Sequence, residues 1–148
     1  SRDLLAVMMA LWKKKGEAYI LAAPAFMGQF GKEVTPGKLR SAFRILGFDG
    51  MVEVALFADI LTMKEALEFD KHVRKAGDFQ MTSCCCPIWI SMLRKEKWMD
   101  HVPGAVSPMI AAGRVVKRLH PEALTVFIGP CLAKKAEARE ADVADAVD

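Results

Sequence analysis

At 148 residues, with 53% hydrophobic and 26% charged side chains, the chain can bury one sizeable core but hardly two, so a single domain over 1-148 is expected. Its longest charge-free stretches, Tyr19–Gly31 and Phe79–Leu93, fall short of the roughly 20 apolar residues that cross a bilayer, and both contain proline, which excludes a membrane-spanning helix. A net charge of +3 is spread along the chain, and without a basic stripe interleaved with aromatics it excludes nucleic acid as the partner.

The run Lys13-Lys14-Lys15 reads as the solvated end of a helix that begins near Leu4. Tyr19–Ala23 is a short apolar run closed by Pro24, the pattern of a buried strand. A helix follows, with Thr35 as its cap and Pro36 at its first position. Leu39, Ala42, Phe43 and Leu46 fall on one face, and Gly47 closes it. Met51–Leu56 is the second predicted strand, Ile60–Lys75 a helix with Ile60, Met63 and Leu67 inward, and Phe79–Ser83 a third short strand. Pro87 opens a helix carrying Ile88, Ile90, Met92 and Leu93, Pro108 opens another through Leu119, Leu124–Ile128 is the fourth strand, and Leu132–Glu140 the last helix.

Strands alternating with helices imply an α/β fold, a four-stranded and mainly parallel sheet with helices on both faces, because each parallel return needs a crossover. The acidic, alanine-rich end, Glu137–Asp148, is expected to fray. The sequence opens at Ser1 with no basic-apolar leader, which fits a cytoplasmic chain or a piece of a longer one.

Ligands of such sheets bind beyond the carboxyl ends of the strands. Three of the four predicted turns there are unusual: Ala23-Pro24-Ala25, Cys84-Cys85-Cys86-Pro87 and Gly129-Pro130-Cys131, which together hold all four cysteines. A single cysteine at such a turn is ordinarily a small buried hydrophobe. Three in succession cannot all point into one core, and their clustering does not suit a disulfide framework. A helix N-terminus favours the thiolate, the form that binds metal, and Cys86 and Cys131 both stand there. Structural zinc and thioredoxin-type redox chemistry both want spaced cysteine pairs that are absent, and Gly31-Lys32 and Gly37-Lys38 lack the spacing of a nucleotide loop. Soft thiolates in this layout point best to an iron–sulfur cluster, which normally takes four.

Here the motifs become specific. Met81-Thr82-Ser83-Cys84-Cys85-Cys86-Pro87-Ile88-Trp89 resembles the first signature of iron-only (FeFe) hydrogenases, in the three-cysteine variant of one subgroup, and Gly129-Pro130-Cys131-Leu132-Ala133-Lys134-Lys135-Ala136-Glu137 resembles the second. With Ala23-Pro24-Ala25 and Phe57-Ala58-Asp59 also in place, the resemblance runs from about Ala18 to the end and covers the first half of that family's catalytic domain. It implies reversible interconversion of protons, electrons and hydrogen at a 4Fe-4S cluster linked to a di-iron site, the H-cluster, with an electron carrier such as ferredoxin as partner. By position it makes Cys86 and Cys131 cluster ligands and Cys85 the proton donor. Lys134 becomes the donor to a cyanide on iron, while Pro24, Ala25 and Pro130 line the pocket. It also pairs Glu65 and Glu68 as proton carriers; on their own, these two share a helical stripe with Leu61 and His72 that reads as a solvated face.

The departures are equally specific. Cys84 replaces a serine, Gly129 stands where methionine is common, and Met109 where glutamine is usual. Pro103, Gly104 and Ala105 occupy the neighbourhood of the serine that links the family's two glutamates. The third signature, which supplies two further cluster cysteines, is absent, so the remainder of a hydrogenase chain or a complementary lobe is the expected partner, packed on an exposed apolar face. Two other functions remain open at this stage: a hydrogen-sensing relative, and a metal-free structural or assembly domain retaining the fold. The three histidines take no role.

Overall fold

The computed structural model describes residues 2–81 and 85–148. In chain order it contains α1 (Arg2–Lys13), β1 (Ala18–Ala22), a 3-10 turn (Pro24–Phe26), α2 (Pro36–Ile45), β2 (Gly50–Glu53), α3 (Val54–His72), α4 (Pro87–Lys95), a second 3-10 turn (Met99–His101), α5 (Pro108–Leu119), β3 (Leu124–Ile128) and α6 (Leu132–Glu137). The strands form a parallel sheet of order β2-β1-β3, with Ile20 opposite Met51 on one side and Val126 on the other.

Central strand β1 is buried on both faces, which is why its sequence is a continuous apolar run. Ala18, Ile20 and Ala22 point to one side, where Phe48, Met51 and Val126 join Val7 and Leu11 of α1 and Leu39 and Phe43 of α2. Leu21 points to the other, against Val54 and Phe57 of α3 and Met109, Ile110, Ala112 and Val116 of α5. Each of the larger of these side chains, fully withdrawn from water, contributes about 1.5–3 kcal/mol, so the two apolar layers hold the helices to the sheet. The predicted α/β class, with parallel strands and helices on both faces, is the observed one.

Local signals set several boundaries. The Thr35 hydroxyl accepts the Lys38 N–H at the start of α2. At its other end Gly47 takes φ +100°, a left-handed turn that a side chain would strain. At the entry to β1, Asp49 accepts the Ala18 N–H at 2.7 Å and the Lys14 ammonium at 2.5 Å, and these donors hold its carboxyl below the usual range.

Five expectations are corrected. The strand predicted over Met51–Leu56 stops at Glu53: its partner β1 ends opposite at Ala22, and beyond the last ladder position the backbone satisfies its polar groups by turning into α3. In the predicted strand Phe79–Ser83, residues 79–81 lie outside the sheet, which has three strands among the described residues; Thr82 and Ser83 fall outside those residues. Instead the Met81 N–H donates to the His101 carbonyl at 2.7 Å, and the Phe79 ring stacks on His101 at 4.2 Å. Ile60, Met63 and Leu67 do not face the sheet. Val54 and Phe57 take that side of α3, and the other three, with Leu56, form an exposed apolar stripe on which Met63 is 71% accessible. Leu46, expected on the inner face of α2, is also exposed.

The fifth correction is the acidic stretch over 137–148, which is fastened rather than frayed. Ala146 and Val147 belong to the α3–α5 core. The Thr125 hydroxyl donates to the Ala146 carbonyl at 2.9 Å, the Asp148 N–H donates to the Thr125 carbonyl, and the Thr125 N–H donates to the Asp148 carboxylate. Burial pushes the Asp148 carboxyl up, but the Thr125 N–H and Lys117 outweigh it and leave it below the ordinary value. A Cβ on Gly113 would stand 2.0 Å from the Ala146 carbonyl oxygen, so only glycine lets the end of the chain lie this close to α5.

Candidate metal and proton-transfer site

The carboxyl ends of β1 and β3 are joined past the strands themselves, because the Ala23 N–H donates to the Ile128 carbonyl at 2.9 Å. This places the Pro24–Phe26 turn beside Gly129-Pro130-Cys131. A Cβ on Gly129 would come within 2.7 Å of the Phe127 ring and 3.0 Å of Ala23, so a side chain here would have to displace that ring. Cys131 then caps α6 with extended backbone, φ −104° and ψ 112°. Cys86 caps α4 in nearly the same conformation, φ −100° and ψ 111°, with Pro87 following it. Neither sulfur makes a cap hydrogen bond, and Cys85, Cys86 and Cys131 are all exposed.

Lys134 draws the two cysteine turns together. Its ammonium reaches from α6 to the Cys85 carbonyl at 2.5 Å and pairs with Glu137 at 2.9 Å. Both side chains are only 14% accessible, and the Glu137 carboxylate also accepts the buried Ser107 hydroxyl at 2.9 Å. A lysine so enclosed needs a counter-ion, and Glu137 supplies it. Glu137 was part of the quoted motif yet received no role; its position one turn after Lys134 was the available signal. Beside this network a cavity of about 500 Å³ opens along Gly129, Pro130, Cys131 and Lys134, with Met109 and Phe127 as its apolar wall.

Glu65 and Glu68 are half-buried on α3. Glu68 accepts the Gly104 N–H at 3.1 Å and lies 3.5 Å from Lys64, whose ammonium donates to the Gly104 carbonyl at 2.8 Å. His72 engages Gln80 at 3.2 Å. Cys84 falls outside the described residues.

Among the described residues, no three or more histidine, cysteine or acidic side chains gather closely enough to hold a metal ion. Cys86 and Cys131, two exposed soft thiols at helix starts, are chemically suited to half of a cubane's ligand set. No helix among those residues is long and apolar enough to cross a membrane.

Residues 17–148 match the family described as iron only hydrogenase large subunit, C-terminal domain. Iron hydrogenase 1 of Clostridium pasteurianum is 33% identical over 119 residues, which cover 74% of this chain and 21% of that protein. The NADP-reducing hydrogenase subunit HndD of Solidesulfovibrio fructosivorans is 30% identical over an alignment of 154 residues, covering 88% and 26%. The solved FeFe-hydrogenase HydA(deltaEFG), from work on stepwise H-cluster assembly, superposes with a TM-score of 0.71 at 26% identity over 93% of this chain and 40% of its own. A variant of FeFe-hydrogenase HydA1 from Chlamydomonas reinhardtii gives 0.69 at 26% identity, over 91% and 39%. The chain spans about a quarter or less of the curated relatives and about two fifths of the solved ones, so it corresponds to a fragment of those larger proteins. With cysteine turns converging at the sheet edge and this match over nearly its whole length, the chain belongs to the iron-only hydrogenase large-subunit family, as part of its C-terminal domain.

Proposed function

We propose that the chain is the first lobe of the catalytic domain of a cytoplasmic iron hydrogenase of the three-cysteine subgroup, which interconverts protons and electrons with hydrogen. The observation that carries this is the Lys134 bridge, which brings the Cys85–Cys86 turn to the helix that Cys131 begins. Cys86 and Cys131 would hold one side of a 4Fe-4S cluster linked to a di-iron site, and a second lobe would supply the other two ligands. When bound, that group supplies the redox chemistry of hydrogen, and a ferredoxin-type carrier exchanges the electrons.

The chain's own residues bind, orient and move protons. Two of the three Lys134 ammonium protons are committed, to the Cys85 carbonyl and to Glu137, leaving one for an anionic ligand in the pocket. Glu137 and Ser107 fix that ammonium in place before any ligand arrives. Pro24, Ala25 and Pro130 would line the cofactor pocket once the second lobe closes it, offering no side-chain donors or acceptors there. Cys85 holds and releases a proton at Sγ, and Glu65 is the next carrier along α3. The exposed stripe of Leu56, Ile60, Met63 and Leu67 is the face on which the second lobe packs.

Iron and acid-labile sulfide analysis of the full-length protein, with a hydrogen-evolution assay under a strong reductant, tests the reading. Cluster iron and turnover are expected, both lost in Cys86→Ser and Cys131→Ser. The 148-residue chain alone, reconstituted anaerobically with iron, sulfide and a di-iron cofactor, should evolve no hydrogen, since it brings two of four ligands. Turnover from a verified monomer of this chain, or full-length protein free of iron, would overturn it.

A further inference from the structure

Glu68, the second of the two glutamates that the family resemblance pairs, meets a donor at each of its carboxylate oxygens. Glu68 Oε2 accepts the Gly104 N–H at 3.1 Å, and its Oε1 lies 3.5 Å from the Lys64 ammonium. That ammonium in turn donates to the carbonyl of the same glycine at 2.8 Å. Two side chains four residues apart on α3 therefore grip residue 104 at both its N–H and its C=O. The grip is passed on. The His101 carbonyl accepts the Met81 N–H at 2.7 Å, and the His101 ring, stacked on Phe79, also contacts the Phe79 carbonyl through Nδ1 at 3.2 Å. Residues 101–104 thus bridge Glu68 to residues 79–81, the stretch that leads into the cysteine run.

A proton carrier must take a proton on one oxygen and pass it to a neighbour that can do likewise. The donor on Oε2 is a peptide N–H, which does not hand its proton along a relay. Among the described residues Oε1 faces only the Lys64 ammonium, itself engaged with the Gly104 carbonyl, and Pro103, Gly104 and Ala105 bring no hydroxyl or other exchangeable side chain. We propose that Glu68, together with Lys64, is a positioning residue. It clamps the Gly104 loop, and through His101 it sets the stretch from which the cysteine turn departs, while proton transfer passes through Glu65 without it. The inference rests on the hydrogenase reading for its catalytic half, and on geometry alone for the clamp.

Amide exchange and turnover of the full-length protein separate the two. Glu68→Gln keeps an oxygen for the Gly104 N–H but is no proton carrier, whereas Glu68→Leu keeps neither property. Glu68→Leu and Lys64→Met should speed exchange at Gly104 and Met81 by about fivefold or more, the worth of one lost hydrogen bond, and Glu68→Gln should restore protection at Gly104. Hydrogen turnover in Glu68→Gln should stay within about threefold of the parent, while Glu65→Gln falls by about tenfold or more, as expected when only one of the two is a relay group. Unchanged exchange in Glu68→Leu would overturn the clamp. A turnover loss in Glu68→Gln equal to that in Glu65→Gln, with Gly104 still protected, would return Glu68 to the relay. Absence of hydrogen turnover in the parent protein would sink the hydrogenase reading, and the exchange data would still decide the clamp.

Discussion

The turns that carry Cys131 and Cys86 have the same backbone shape and are held by different means. The Cys131 turn grows directly out of β3, whose every position is paired with β1, and it is fastened again by the Ala23–Ile128 hydrogen bond. On the Cys86 side the described residues of the approach, 79–81, lie outside the sheet, and the contacts that hold approach and turn include single ones: Met81 to His101, Phe79 on His101, and Lys134 to the Cys85 carbonyl. A ladder is cooperative and shares its load over several hydrogen bonds. Isolated anchors do not, so the same displacement costs less on the Cys86 side. One half of the proposed ligand pair is therefore built into the sheet, and the other is suspended from α3, α6 and the 101–104 loop.

The largest expected effect lies on the suspended side. In the complete, cofactor-loaded protein, Cys85→Ala should lower hydrogen turnover by about 100-fold or more with iron content unchanged, because it removes a proton donor and no ligand. Equal activity would move the donor role to Cys84 or to water. On the sheet-held side, Gly113→Ala should lower unfolding stability by about 1–3 kcal/mol through collision with the Ala146 carbonyl, measurable as a lower denaturant midpoint. A smaller and more local effect is expected from Lys134→Met. Amide exchange over residues 85–90 should rise about tenfold, while that over β3 stays as it was, since one charge-assisted hydrogen bond is lost from one turn only. Acceleration in both would erase the contrast between the turns.

The smallest effect concerns pH. The Lys14 ammonium and the Ala18 N–H hold the folded Asp49 carboxyl below its usual range, so the carboxylate contributes its stability fully above the unfolded value near about 3.9. That contribution is lost as pH falls through the lower folded value. Asp49→Asn should therefore melt earlier than the parent at neutral pH, and the gap should close in acid. A gap that persists unchanged at about pH 2 would show that the charge is not what Asp49 contributes.

Elements whose ends carry local signals were legible in the sequence. Pro108–Leu119 and Leu124–Ile128 match at both boundaries, and the Thr35-Pro36 start of α2 is as read. What depended on a distant partner was not. Met51–Leu56 is apolar enough for strand or helix, and only the end of β1 opposite Glu53 decides where one becomes the other. Ile60, Met63 and Leu67 keep helical spacing on either face of α3, so periodicity alone could not say which face meets the sheet. The placement of Cys86 and Cys131 at helix starts was readable from order, with a strand before Cys131 as read but none over residues 79–81 before the cysteine run. The Glu137–Ser107 support of Lys134 and the grip of Glu68 and Lys64 on Gly104 were not, because each joins residues about 30 or more positions apart through contacts that no local pattern encodes.

Residues 146–148 also bear on how the polar backbone along β3 is satisfied. Among the described residues β3 pairs with β1 alone, and the groups on its other side need partners. At Thr125 Asp148 supplies them, taking the N–H with its carboxylate and the C=O with its own N–H, while Lys117 holds that carboxylate from α5. With Ala146 and Val147 in the core, the same three residues thus join the apolar packing of α5 to the outer side of the sheet.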